Sequence, residues 1–255
     1  MNSEFTIIIC FIAGMGAGLG TGFAGLSAAA VISPMLITFL GFNAYEAIGI
    51  ALASDVLASA VSAYTYGKSK NIDIKNGIVM LISVLLFTLL GSFVSSHIPN
   101  STMGNFSKFM TLLVGLKFIF KPIMKSKETQ KEENNNTKRS AKSIICGAFV
   151  GFICGFVGAG GGMLMLLILT SVLRYDLKTA VGTSVFIMTF TALTGAISHF
   201  AISGMPNLWI TILCILFTFI WAKIGAKWAN KANVKKLNRI TGIVLTILGL
   251  IMFIA

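Results

Sequence analysis

Ten apolar runs dominate the chain, at 5–20, 26–40, 45–66, 76–96, 106–124, 143–158, 162–173, 179–199, 208–222 and 240–254. About 20 apolar residues in a row cross a bilayer core as a helix, and a soluble domain has no place to bury so many. Only 11% of the residues are charged, where an ordinary soluble domain carries roughly 25%. The formal net charge of +12 would suit a nucleic-acid binder. The bases, however, sit in short clusters between the apolar runs, which is the membrane pattern. The chain reads as an all-α polytopic membrane protein.

Cys10, Cys146, Cys154 and Cys214 all lie within apolar runs, without CxxC or Cys/His spacing. No disulfide scaffold, metal or cofactor site is therefore expected. The opening MNSEF has an acid where a signal peptide carries positive charge, so the first apolar segment is expected to be retained.

Residues 125–142, KSKETQKEENNNTKRSAK, are polar and free of aromatics and separate two sets of five runs. The expected organisation is an N-terminal transmembrane repeat at 1–124, a connector at 125–142 and a C-terminal transmembrane repeat at 143–255. The two sets align without a gap under a shift of 133 residues. That shift places Gly14, Gly18, Gly22 and Gly25 on Gly147, Gly151, Gly155 and Gly158, and Leu40, Ala47 and Gly49 on Leu173, Ala180 and Gly182. Glycine is frequent here, but a spaced series of four in one register marks a repeat.

Charge decides how the repeats are oriented. Loop 67–75 holds Lys68, Lys70 and Lys75, while its counterpart 200–208 has no base. Loop 97–107 has none, while its counterpart 230–240 holds Lys231, Lys235, Lys236 and Arg239. Equivalent loops thus face opposite sides. By the positive-inside rule the cytoplasmic side takes 67–75, 121–142, 174–178 and 223–239, which collects 18 of the 20 bases. The expectation is two inverted-topology repeats with both termini outside and the connector cytoplasmic.

The first two segments of each half are expected to be short or broken near the midplane. Residues 5–40 leave only 18 per crossing and no turn, and 162–173 has twelve. Their junctions, GMGAGLGTGFAG and GFICGFVGAGGG, are glycine-rich. Broken backbone is tolerated inside a membrane only where protein or a polar cavity satisfies it. Such interruptions at matching places in inverted halves point to a transporter's binding site.

These residues resemble the TauE/SafE family of membrane permeases, the sulfite exporter family. The second half carries the nearest match, in GFICGFVGAGGGMLMLLIL followed by AVGTSVFIMTFTALTGAISHFAISG; the first half matches more loosely in GTGFAGLSAAAVISPMLITFLGF. The resemblance implies transport of sulfite, organosulfonates or related sulfur anions across a bacterial inner membrane. The halves differ at Gly182-Thr183-Ser184, which is Gly49-Ile50-Ala51 in the first half, so an asymmetric site is expected.

The candidate substrate-binding residues are Gly22, Gly25 and Ser27 in the first half and Gly158, Gly160, Gly161, Gly162, Thr183 and Ser184 in the second. A helix starting in mid-membrane offers free amides and its positive dipole end to an oxyanion. The competing reading of the glycines is close helix packing. For the two hydroxyls it is bonding back to the carbonyl four residues earlier. Asp55 is the only acid well inside a span, and intramembrane acids usually carry function. Its expected role is coupling, by binding a proton, with a structural hydrogen bond as the alternative. His199, paired by the repeat with Tyr66, is a second coupling or gating candidate near a span end.

Three functions fit these residues. The first is a secondary transporter of sulfur anions, exporting or, with a coupled proton, importing; no Walker A sequence supplies ATP. An anion channel is the second. The third is an intramembrane serine hydrolase, since Gly25-Leu26-Ser27-Ala28 is close to a GxSG motif with His199 as base.

Overall fold

The computed structural model describes residues 3–99, 136–157 and 161–231, with scattered helical positions between 101 and 120 and between 239 and 250. The fifth segment of each half and most of the connector lie outside the described residues. Eight helices and no strand occur among the described residues. They are α1 (Ser3–Ala24), α2 (Ala29–Leu40), α3 (Ala44–Lys68), α4 (Ile74–Ser95), α5 (Asn136–Val157), α6 (Gly161–Leu167), α7 (Leu177–Ser203) and α8 (Leu208–Lys231). A π-helical turn, Ile168–Val172, continues α6. Five helices are long and apolar enough to cross a membrane: Ser3–Ala24, Ala44–Lys68, Ile74–Ser95, Lys178–Ser203 and Leu208–Ala229.

The expectation of two short leading segments needs correction. With 22 residues, α1 spans about 33 Å at 1.5 Å per residue. The other leading segments are short: α2 has 12 residues, α6 has seven, and the apolar part of α5, Lys142–Phe156, is too short to stand among the five spanning helices. The glycine content of α1 does not break it because those glycines are needed in a helix seam, described below. In the second half α5 begins at Asn136, within the stretch read as connector. Its first turns are polar, and backbone pairing inside a helix does not require apolar side chains.

The register of 133 residues recurs in the helix bounds. Shifted by it, α1 falls on 136–157, the bounds of α5, and α3 falls on 177–201, against Leu177–Ser203 for α7. Even the caps correspond. Asn43 accepts from the amide of Glu46 at 2.8 Å to start α3. Its counterpart Asp176 accepts from the amides of Lys178 at 3.1 Å and Thr179 at 3.2 Å to start α7. Each side-chain cap satisfies donors that the first helical turn leaves open.

The packing crosses between the halves. Helix α1 lies along α8, α5 lies along α4, and α3 lies against α7. Glycine makes the two outer seams possible. A side chain on Gly18 would meet the Thr218 carbonyl, and one on Gly22 would meet the Ala222 carbonyl and the Ala226 amide. In the other seam Gly151 faces Val84, and Gly155 faces Thr88 and Ser92 in the same manner. Backbone thus meets backbone, which in lipid replaces the missing hydrophobic drive between helices. The large side chains turned outward on α4, including Ile78, Ile82, Leu86, Leu90 and Phe93, suit acyl chains.

Overpacking a tight seam costs about 1–3 kcal/mol. Gly18→Val and Gly151→Val should each lower the unfolding temperature of the detergent-purified protein by several degrees. Gly67→Ala, where a new methyl would meet only Ile72 at 3.5 Å, should leave it unchanged.

Candidate functional site

Helix α1 stops where Gly25 takes φ +62°, a left-handed conformation that favours glycine. The Gly25 amide donates to the Thr21 carbonyl at 3.0 Å and the Leu26 amide to the Gly20 carbonyl at 3.2 Å, so the end of α1 is closed by its own backbone. Two residues on, Ser27 precedes the start of α2. Its Oγ accepts from the Ala29 amide at 3.3 Å and donates to Asp55 Oδ2 at 2.8 Å. Asp55 Oδ1 accepts from Ser59 Oγ at 3.0 Å, one turn further along α3. The Ala28 amide and the Thr21 hydroxyl also face this carboxyl. Asp55 is 1% exposed. The first turn is therefore built around a buried carboxyl seated at the positive end of α2.

The second turn meets the first. A side chain on Gly162 would strike the Gly25 carbonyl, the Ser27 amide and Met188 Sδ. One on Gly161 would lie 2.9 Å from Cys154 Sγ. Ser184 Oγ sits between the turns, 3.5 Å from both the Gly25 and the Gly162 carbonyl oxygens and 3.6 Å from Met188 Sδ. All three contacts are long for a hydroxyl donor, so none of them holds its proton firmly. The repeat explains the arrangement. Asp55 and Met188 occupy equivalent positions, as do Ala51 and Ser184, and Thr21 and Cys154. Oxygen atoms and a carboxyl line the first turn, whereas sulfur and a hydroxyl line the second.

Of the candidate residues, Gly25, Ser27, Asp55, Gly161, Gly162 and Ser184 come together. Gly158 and Gly160 lie outside the described residues. Gly22 stands in the α1–α8 seam, its carbonyl accepting from the Tyr66 hydroxyl at 3.2 Å. Thr183 faces away from the turns, and its Oγ1 accepts from the Asp73 amide at 3.0 Å. His199 is fully buried near the other end of α7. Its Nδ1 lies 3.2 Å from the Tyr45 carbonyl and its Nε2 3.2 Å from the Gly155 carbonyl, and its ring stacks on Tyr45 at 4.0 Å. Tyr66 and His199 are repeat partners, and so are Gly22 and Gly155; each half thus clamps its long third helix to its first by one equivalent bond. The His199 ring faces the Tyr45 and Gly155 carbonyls and the Ser27 hydroxyl bonds Asp55, so Ser27 and His199 form no nucleophile–base pair.

Sequence reasoning missed Ser59, Met188 and the part Cys154 plays. Ser59 was findable four residues from a buried acid on a helix, the spacing at which side chains meet. Cys154 and Met188 were findable only by following the repeat from Thr21 and Asp55 to positions that carry no charge.

The fold and this site define a class: an all-helical, multi-span membrane protein whose two interrupted helix pairs converge beside a buried carboxyl. Residues 10–252 match the family described as sulfite exporter TauE/SafE. The chain belongs to this family, and with it to the membrane transporters. It is 26% identical to the probable membrane transporter protein YunE of Bacillus subtilis, with 96% of each chain covered. It is 25% identical to the probable membrane transporter protein MJ0441 of Methanocaldococcus jannaschii, over 97% of this chain and 94% of the relative. A second Bacillus subtilis relative, the probable membrane transporter protein YdhB, is 22% identical over 84% of this chain and 86% of its own. No solved structure matches.

Deleting the Asp55 carboxyl strands the Ser27 and Ser59 hydroxyls and the Ala28 amide. An unsatisfied buried group costs about 1–3 kcal/mol. Asp55→Ala should lower thermal stability in detergent more than Asp55→Asn, whose amide oxygen still accepts. Equal stability of the two variants would show that the carboxyl does not hold the first turn.

Proposed function

We propose that the chain is a secondary transporter that carries small sulfur-containing anions, such as sulfite or organosulfonates, across a bacterial inner membrane. The observation that carries this reading is the meeting of two helix-breaking turns, one from each half, at Ser184. Amides freed at Gly161 and Gly162, the loosely held Ser184 hydroxyl and the Gly25–Ser27 turn form the anion's surroundings. The transporter family of the chain supports transport, and its description, sulfite exporter, supports the sulfur anion.

The two halves act as inverted repeats that rock around this point. The shared helix bounds, the crossed packing of α1 on α8 and α5 on α4, and the equivalent bonds of Tyr66 and His199 support that relation. In this arrangement both termini lie outside and the connector is cytoplasmic. Export of a monoanion is favoured by the inside-negative potential, about 2.3 kcal/mol per 100 mV, and needs no coupled ion.

A second reading, proton-coupled uptake, is favoured by Asp55. Its carboxyl occupies the positive end of α2, where it competes with a bound anion for the same amide and hydroxyl donors. Protonation removes that competition, so one proton and one anion can move together. No Lys, Arg or His faces Asp55 among the described residues, which leaves hydroxyls, an amide and the Cys154 thiol as its neighbours.

Two experiments test these readings. Purified protein should be stabilised selectively by one of sulfite, thiosulfate, sulfoacetate or taurine over sulfate and simple carboxylates in a thermal-shift screen at two pH values. A ligand at 100 times its Kd adds about 2.7 kcal/mol. Silence across the panel would sink the sulfur-anion reading. In liposomes, Asp55→Asn should abolish proton-driven accumulation while sparing counterflow exchange; equal loss of both would leave Asp55 a structural role only.

A further inference from the structure

Away from the turns, two loops from opposite halves are bolted together on one face of the bundle. Asp73, in the loop that opens α4, accepts from the Asn76 amide at 3.1 Å and from Asn76 Nδ2 at 2.7 Å. Its Oδ2 also accepts from the Tyr175 hydroxyl at 2.8 Å, and Tyr175 belongs to the loop before α7. The Asp73 amide donates to Thr183 Oγ1 at 3.0 Å, in the first turns of α7. Beside these bonds Gly182 touches the Asn71 carbonyl so closely that no side chain would fit. Lys68, Lys70, Lys75, Arg174 and Lys178 flank this junction, so it lies on the side that the positive-inside rule assigns to the cytoplasm.

The repeat supplies the decisive comparison. Under the shift of 133 residues Asp73 corresponds to Pro206, Tyr175 to Phe42 and Thr183 to Ile50. None of these counterparts has a side-chain donor or acceptor, and Pro206 lacks even the amide. These side-chain bonds have no counterpart at the equivalent positions; among the described residues the opposite face joins the halves differently, through the stack of His199 on Tyr45 and the approach of its Nδ1 to the Tyr45 carbonyl. Two halves that exchange conformations would be balanced if both faces were alike; a bolt of side-chain hydrogen bonds on one face and an aromatic stack on the other make them unlike.

We propose that Asp73, Tyr175 and Thr183 form a latch that holds the cytoplasmic face shut and sets the resting state of the carrier. This rests on the alternating-access reading above and adds the residues that fix its resting bias. Asp73 also caps α4, so its loss would disturb that helix; Tyr175→Phe and Thr183→Val each remove one latch bond and no cap. Loss of one net hydrogen bond should enlarge the cytoplasm-open population roughly 3- to 10-fold.

Cys154, beside Gly161, reports access to the turns. The full chain with Cys10, Cys146 and Cys214 changed to Ala is labelled with a membrane-impermeant thiosulfonate, in inside-out and in right-side-out vesicles. Tyr175→Phe and Thr183→Val should speed labelling of Cys154 several-fold in inside-out vesicles and slow it in right-side-out vesicles. Thr183→Ser, which keeps the acceptor, should restore the parent's rates. Unchanged rates in both variants, or an equal rise from both sides as from loosened packing, would overturn the latch. The carrier reading is checked separately by the parent, where simultaneous fast labelling from both sides would describe a channel and overturn it instead.

Discussion

A helix interrupted inside a bilayer leaves amides and carbonyls that lipid cannot satisfy, and most features of this molecule follow from that constraint. The first interruption is answered from within the protein. The Ser27 hydroxyl bonds Asp55 at 2.8 Å, and the Ala28 amide faces the same carboxyl, so a charge-bearing group carried by α3 closes the start of α2. The second is answered differently. Its neighbours are Cys154, Met188 and the weakly bonded Ser184, none of them an acid. The first turn carries a carboxyl, and among the described residues the start of α6 meets a thiol, a thioether and a hydroxyl instead.

That difference separates two roles within otherwise equivalent halves. A soluble protein would close both helix ends with water, and the two turns would then be free to resemble each other. In lipid each must choose a partner from the protein, and evolution of the repeat has chosen an acid for one and neutral soft groups for the other. In the proposed carrier the consequence is electrostatic: an anion at the junction would meet repulsion from an ionised Asp55 and none from Cys154, Met188 or Ser184. A carboxyl is also a group whose charge a proton can cancel, so on the proposed reading the same asymmetry would link movement of the anion to protons.

Much of this was legible in the residues, and the parts that were not have identifiable causes. Span-length runs and clustered bases gave the membrane class, and the glycine register located both turns within a few residues. Residues 5–40 leave 18 per crossing, and with glycine counted as a helix breaker α1 is expected to be short. Gly14, Gly18 and Gly22 instead face Phe217, Thr218 and Ala222 across a seam, and a helix stays intact when its glycines are held by a neighbouring backbone. Whether a glycine series breaks or packs depends on what lies opposite, which one strand of sequence does not record. Thr183 shows the same limit. It sits next to Ser184 in one motif, yet successive residues of a helix point about 100° apart, so one hydroxyl reaches the turns while the other reaches a loop.

The motif Gly182-Thr183-Ser184 then reads as a mechanical unit. Gly182 lets the α3–α4 loop come close, Thr183 bonds that loop through the Asp73 amide, and Ser184 touches both turns. Three consecutive residues thus connect one surface of the bundle to its centre through a single rigid helical turn. In the first half the corresponding Gly49 packs against Phe200 and the adjoining Ile50 and Ala51 are fully buried without a hydroxyl between them. The two halves share helix bounds, but among the described residues only the second places neighbouring hydroxyls against both a loop and the junction of the turns.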